Sequence, residues 1–301
     1  GLNPREPKLG SYFREFQLEG SQQRISLAKI LLYSFYEGEG FSFQEGLEEC
    51  RRRYANFSRD DFSHYRIIDI DVGGLNWTEL GSEEQIPLFR QLDSFELSAL
   101  LEQTHHLCRL ANILETDKIR MFSFFDAYEK KEQVFAYLKQ MVEVATKYGV
   151  KLCHENEKKV YGDTLERVLE LMENVPGLKF IYDPANYIQC GEDPKVTLPT
   201  LHSKMEYFHI KDTDAKTEEL VPAGVGDGDI PKMIEMIHDD KVLTLEPHLA
   251  IFDGYPTIDD EEMKNRFPFE NNDEAFDYAV TALKGILTAQ GYKEENGGFV
   301  K

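Results

Sequence analysis

Positive charge is scarce in this sequence beside negative. Its 301 residues include 34 Lys plus Arg against 55 Asp plus Glu, a formal net charge of -21. Protonating all eight histidines leaves -21 + 8, about -13, a field that repels a nucleic-acid backbone. The one dense basic run, Arg51 to Arg53, falls on an expected surface helix and reads as solubilising. Cysteine is sparse as well: Cys50, Cys108, Cys153 and Cys190 stand far apart, with neither paired metal-ligand spacing nor a disulfide framework. That usage suits a reducing compartment and buried thiols. No stretch of 18 apolar residues occurs, and the N-terminus lacks a basic region followed by an apolar one. Neither a membrane span nor a signal peptide is expected, and the location expected is cytoplasmic. Long polar tracts, linkers and internal repeats are missing too, which favours one domain over 1–301, with 1–24 as an N-terminal extension. What is present is 41% hydrophobic residues with 12% aromatic, enough to bury a core and to exclude a disordered chain.

Along the second half, short apolar runs alternate with amphipathic helices. The runs are KIRMFSFF (118–125), GVKLCHEN (149–156), LKFIYDP (178–184), MEYFHIKD (205–212) and KVLTLEPHL (241–249). Starts about 27 to 36 residues apart are the spacing of βα units in a parallel sheet. Between them Val134, Leu138, Met141 and Ala145 repeat at helical spacing until Gly149, and Leu165, Val168, Leu169 and Met172 follow a capping box of Asp163 and Glu166. Asp229 is expected to cap a helix through Ile237, and Asn272 to start the last one, closed by Gly291. In the first half ISLAKILLYSF (25–35) and YRIIDIDVGG (65–74) read as strands, Ser42 starts a helix and another runs from about Ser94 to Glu115. Five later strands counted as the fourth to eighth give an α/β fold, a (β/α)8 TIM barrel. One early strand is left to FREFQLEG (13–20) or to residues 80–95.

Strand phase picks out a set of polar residues. Alternate side chains of a strand share a face, and barrel strands aim one set at the lumen and the other at the helices. With Leu243 and Leu245 toward the helices, Thr244 and Glu246 point inward. The same rule sends His209 inward between Phe208 and Ile210, Ile181 and Asp183 inward beside Phe180 and Tyr182, and Cys153, Glu155 and Glu157 inward. Four consecutive strands thus end by aiming Glu155, Asp183, His209 and Glu246 at one point, at the carboxyl ends where parallel barrels place their chemistry. Three carboxylates and an imidazole in one small cavity require a cation, because like charges in low dielectric otherwise force protonation. An oxygen-rich set with one nitrogen suits Mn2+, the first choice, or Mg2+, Co2+ or Zn2+.

Blander readings fit the neighbours. A polar residue at a single strand end is more often a cap or loop residue; it is the common phase of four that changes the odds. His154 has the helix-facing phase and reads as structural, whereas His248 is in phase and is expected within reach of substrate. His105 and His106 sit in a helical pattern and are not taken as ligands. GVGDGD (224–229) has no strand immediately before it, so it reads as a flexible mouth loop rather than a phosphate loop. IDDEE (258–262) reads as solvated loop.

These residues carry a resemblance. HENEK with YGDT, YDPAN, HIKD, GVGDGD and LEPH, over roughly 118–290, resemble the xylose isomerase-like (β/α)8 superfamily, particularly its ketose 3-epimerases and bacterial proteins described as sugar phosphate isomerases or epimerases. The group's metal quartet of Glu, Asp, His and Glu matches Glu155, Asp183, His209 and Glu246 in order and approximate spacing. Two features depart: the histidine usual three residues after the metal aspartate is Asn186 here, and the arginine usual shortly after the metal histidine is absent around Ala215. The resemblance implies an isomerase or epimerase that abstracts a proton next to a carbonyl of a ketose or related polyol. Glu155 and Glu246 would be base and acid, Asn186, Lys211, His248 and Glu157 would hold substrate, and the loop 250–272, with aromatics from Phe252 to Phe269, would cover the mouth. Lys211 is the one basic residue found at a strand end, which favours a substrate without phosphate. A small sugar or polyol is the partner expected, with no nucleic acid and no membrane; homo-oligomerisation stays open. A dehydratase or lyase of a keto-polyol would use the same groups, a non-catalytic sugar-binding barrel would keep them without turnover, and an apurinic endonuclease relative is disfavoured by few histidines and the charge.

Overall fold

The computed structural model describes residues 70–71, 92, 97–113, 116–249, 267, 269, 272–295 and 298–301. The expected strands at 13–20 and 25–35, the helix begun at Ser42, the basic run at 51–53 and most of the loop 250–272 lie outside these residues.

Among the described residues, one six-stranded sheet runs β1 (Ile70–Asp71), β2 (Lys118–Met121), β3 (Lys151–Glu155), β4 (Lys179–Tyr182), β5 (Tyr207–Ile210) and β8 (Leu243–Leu245), in that spatial order. Every neighbouring pair is parallel. Helices α1 (Leu97–Ile113), α2 (Lys131–Lys147), α3 (Leu165–Asn174), α4 (Pro184–Gln189), α5 (Pro194–Leu201) and α6 (Ile230–Glu235) fall between strands of this sheet, and α7 (Asn272–Ala289) follows β8. Such a curled sheet of βα units is the α/β barrel architecture that strand spacing led us to expect. Two antiparallel ribbons complete the description: β6 (Asp212–Thr213) with β7 (Leu220–Val221), and β9 (Lys293–Glu295) with β10 (Gly298–Val300).

The strand phase has a direct physical readout in the two buried clusters. Leu152, Phe180, Tyr182, Phe208, Ile210 and Leu245 join the helix faces of Leu138, Val168, Leu198 and Met233 in the main core. Cys153, Ile181 and Tyr207, with Val242 against them, form a separate small cluster on the other face. Adjacent residues of one strand therefore belong to different cores, as a period of two requires. Each large side chain buried in this way contributes on the order of 1.5–3 kcal/mol.

Two caps differ from expectation. Thr164, not Asp163, is the N-cap of α3: its hydroxyl accepts from the Arg167 N–H, and Asp163 instead pairs with the Arg167 guanidinium at 2.7 Å and accepts from the Tyr128 hydroxyl. Asp229 occupies the N-cap position of α6 in the left-handed conformation, φ 53°, and its side chain makes no cap hydrogen bond. Gly149 and Gly291 take positive φ after α2 and α7, as helix stops do.

Candidate metal centre

Each strand end delivers its side chain for a local reason. β3 stops at Glu155, and the next residue, Asn156, clamps β4: its amide nitrogen donates to the Asp183 carbonyl at 2.9 Å and its amide oxygen accepts from the Asp183 N–H at 2.8 Å. In the sequence DPAN, Asp183 is the N-cap of α4, with Pro184 at the first helical position. Its Oδ1 accepts from the Asn186 N–H at 3.0 Å, which leaves Oδ2 turned to the interior without a hydrogen bond. β5 brings His209, and Glu246 follows the end of β8, its N–H continuing the ladder to the Ile210 carbonyl at 3.2 Å.

The four side chains meet. His209 Nδ1 lies 3.0 Å from Glu155 Oε1, 2.9 Å from Glu246 Oε2 and 4.0 Å from Asp183 Oδ2. One donor atom from each of the four falls within 4.8 Å of all the others. Glu155 and Asp183 are 0% exposed and His209 2%, while Glu246 at 9% keeps some access to the outside.

Burial and mutual charge pull these groups apart. Burial alone would depress His209, but Glu155 and Glu246 overcome it and raise its pKa to about 10. Burial raises Glu155 too, yet the Arg120 guanidinium and His209 bring it down to about 2. Asp183 is pushed up to about 6 by burial despite Lys211, and Glu157 to about 7 by burial despite the same lysine. Glu155 and Glu246 thus favour the charged form of His209, beside the cations Arg120 and Lys211.

The remaining residues expected at the site are also brought together. Asn186, fully buried, donates from Nδ2 to Glu155 Oε1 at 3.2 Å and Glu157 Oε2 at 3.5 Å, and accepts at Oδ1 from Lys211 Nζ at 2.6 Å. Lys211 Nζ is 3.3 Å from Asp183 Oδ2. His248 Nε2 lies 3.7 Å from Glu246 Oε1, on a backbone at φ 44°. Asn186 and Lys211 thus spend their hydrogen bonds ordering the carboxylates, whereas His248 sits at the less buried rim. His154, lowered to about 4 by burial, packs on Phe180 on the helix side, and His105 pairs with the Tyr148 hydroxyl at 3.0 Å. The glycine loop is neither a phosphate cradle nor loosely held. The N–H groups of Gly224, Gly226 and Gly228 all donate to the Asp212 carboxylate at 2.8 to 3.1 Å, and a Cβ on Gly226 would lie 2.4 Å from Asp212 Oδ1.

Two residues escaped the sequence reading. One is Asn156, lost between two glutamates of greater apparent interest. The other is Arg120 on β2, buried among Ile119 and Met121, whose guanidinium contacts Glu155 Oε2 through Nε and Nη2 and lies 3.6 Å from Glu246 Oε1. It pairs in register with inward-facing Cys153, so the phase rule applied to β2 would have found it.

Comparison with known proteins identifies the family and the fold. Residues 86–263, more than half of the chain, match the xylose isomerase-like TIM barrel family. The chain belongs to that family. Curated proteins give no match. Among solved structures, the probable 3-DHS dehydratase AsbF, involved in petrobactin synthesis, from Bacillus anthracis is 17% identical, with 78% of this chain and 89% of that one covered and a TM-score of 0.54. The IOLI protein with a bound zinc atom is 13% identical over 86% and 92%, TM-score 0.55. An L-ribulose 3-epimerase is 14% identical over 82% and 91%, TM-score 0.53. At such identities the likeness is one of fold. In the family's barrel, the cluster built here lies at the carboxyl ends of successive strands, the end where barrels of this kind carry their sites.

The donor set passes the test for a divalent cation. It offers three carboxylates and one imidazole nitrogen, and Asp183 Oδ2 is a buried carboxylate oxygen with no hydrogen bond among the described residues. Hard oxygen ligands with a single nitrogen match Mn2+, Mg2+, Co2+ or Zn2+. Among the described residues no helix is long and apolar enough to cross a membrane.

Proposed function

We propose that the protein is a divalent-metal-dependent isomerase or epimerase of a ketose or related polyol, with Glu155, Asp183, His209 and Glu246 holding the ion and Mn2+ the first choice. The observation that carries this reading is the convergence of those four donors within 4.8 Å. Bound there, a divalent cation supplies Lewis acidity that favours negative charge on a substrate carbonyl oxygen.

The chain's own groups divide the remaining work. Glu246, the least buried of the four, is the residue we assign to take the proton from the carbon next to the carbonyl. Glu155 reaches the same centre from a different strand and is assigned the second proton transfer, on the other face of that carbon, taking up a proton before it gives one because Arg120 and His209 hold it as a carboxylate. His248 and Glu157, both half-buried, are assigned to substrate hydroxyls, and Asn186 and Lys211 hold the carboxylates in place for them. The site's free substrate is expected to be a small sugar or polyol, in a cytoplasmic protein.

The test is incubation of the metal-loaded protein with a panel of ketoses and keto-polyols in D2O. Solvent deuterium at the carbon next to the carbonyl, with the skeleton intact, supports the proposal. Net loss of water would reassign the same groups to a dehydratase, a reading kept in view because one structural relative is described as one. Binding with neither exchange nor loss would mean a sugar-binding barrel.

A further inference from the structure

We infer that Arg120 is a positioning residue for the metal centre: it holds one oxygen of Glu155 and so presents the other, Oε1, alone to the ion. The inference rests on the metal-binding reading above. Arg120 enters from β2, a strand that contributes none of the four donors, and is 6% exposed. Both Nε and Nη2 converge on Glu155 Oε2. Glu155 Oε1 meanwhile faces His209 Nδ1 at 3.0 Å and Asn186 Nδ2 at 3.2 Å. The carboxylate is therefore gripped from two sides and has one rotational state in which Oε1 looks at the centre and Oε2 away from it. The guanidinium carbon sits 4.7 Å over the Phe122 ring, which fixes the plane of the fork. At 3.6 Å from Glu246 Oε1 the same guanidinium also ties the two glutamates to one rigid group on a neighbouring strand.

A planar fork does this and an ammonium does not, because Lys offers a point charge on a flexible stem. Arg120→Lys keeps the charge, so it separates orientation from electrostatics. Outer partners that orient metal ligands are typically worth about 10- to 100-fold in metal affinity. Freed from the fork, Glu155 would be able to offer both oxygens to a bound cation, and an added donor oxygen would weaken the visible absorption of Co2+.

The experiment titrates wild-type protein and Arg120→Lys with Mn2+ by calorimetry and with Co2+ by visible absorption, alongside thermal melting of the metal-free forms. We expect Arg120→Lys to bind Mn2+ about 10- to 100-fold more weakly and to give a weaker Co2+ spectrum at a similar melting temperature. Equal affinity together with an identical Co2+ spectrum would overturn the inference. Wild-type protein that binds neither ion overturns the metal reading itself and this inference with it. Should Arg120→Lys not fold, Phe122→Leu removes the ring that seats the guanidinium while keeping Arg120. It is expected to alter the Co2+ spectrum in the same direction, and an unaltered spectrum would again count against the role.

Discussion

The two ends of the parallel sheet both gather charged side chains and use them in opposite ways. At the amino-terminal end, Lys118 and Lys151 meet Asp117 and Glu206: Lys151 Nζ lies 2.7 Å from Glu206 and 3.2 Å from Asp117, and Lys118 Nζ 2.6 Å from Asp117. Two cations balance two anions there, and Lys151 and Asp117 remain well exposed. At the carboxyl-terminal end, Glu155, Asp183, Glu246 and Glu157 face the permanent cations Arg120 and Lys211. The surplus is negative and most of it is buried. Water can screen the first cluster but not the second, so the first needs no ligand and the second stays unbalanced until a proton or a cation enters. The comparison separates a charge cluster balanced within itself from one with a buried negative surplus.

That contrast is broken most severely by Glu246→Gln, which keeps the shape of the side chain and removes its charge. Turnover on any accepted sugar is expected to fall about 10²- to 10⁴-fold, with weak substrate binding retained in calorimetry; undiminished turnover would move the base elsewhere. Removal of metal comes next. Dialysis against chelator should lower the melting temperature, and Mn2+ at about 100 times its dissociation constant should restore about 2.7 kcal/mol. The same ion added to a Glu155→Gln, Asp183→Asn, Glu246→Gln triple variant should give no such gain.

How much of this was legible in the sequence follows from what each feature depends on. The meeting of Glu155, Asp183, His209 and Glu246 was legible because strand alternation is fixed by backbone geometry: once Leu243 and Leu245 are placed against helices, Glu246 has only one face left. Arg120 was not found because an arginine between Ile119 and Met121 reads as the polar half of a strand, and its partners lie 35 residues away and further. Asn156 bonds only backbone of another strand, which no local pattern announces. The cap of α3 shifted by one residue because Asp163 and Thr164 are both good caps, and the choice was decided by Tyr128 and Arg167, which claim the aspartate. The glycines of GVGDGD spell flexibility locally, but the buried Asp212 carboxylate collects their N–H groups from across a β-ribbon.

A pH titration sharpens the comparison in a way that differs between the ends. In the metal-free protein His209 is raised from 6.5 to about 10. A raised folded-state pKa adds stability that is fully present below the unfolded value and is lost as pH rises through the folded one. Metal-free protein should therefore lose stability between about pH 6.5 and 10, measured by denaturant unfolding. Glu155, lowered from 4.5 to about 2, acts at the other extreme: its contribution is present above pH 4.5 and is lost as pH falls toward 2. Metal must displace the His209 proton, so Mn2+ affinity should strengthen over the same alkaline window in which the metal-free protein weakens. A His209→Gln variant should flatten the alkaline slope; an unchanged slope would place the titrating group elsewhere.

The smallest effect is expected at the amino-terminal end. Lys151→Ala deletes two ion pairs, with Glu206 and with Asp117, from a side chain that is 38% exposed. Exposed pairs of this kind are worth about 0.2 to 1 kcal/mol, because water screens them and two long side chains must be ordered to make them. Lys118 stays near Asp117 at 2.6 Å and Glu206 at 3.9 Å, so neither acid is stranded. The variant should unfold at slightly lower denaturant, bind Mn2+ as wild type does and keep its turnover. A loss of more than about 2 kcal/mol, or any change in metal affinity, would mean that the two ends are coupled through the strands and that the balanced cluster does more than hold the sheet together.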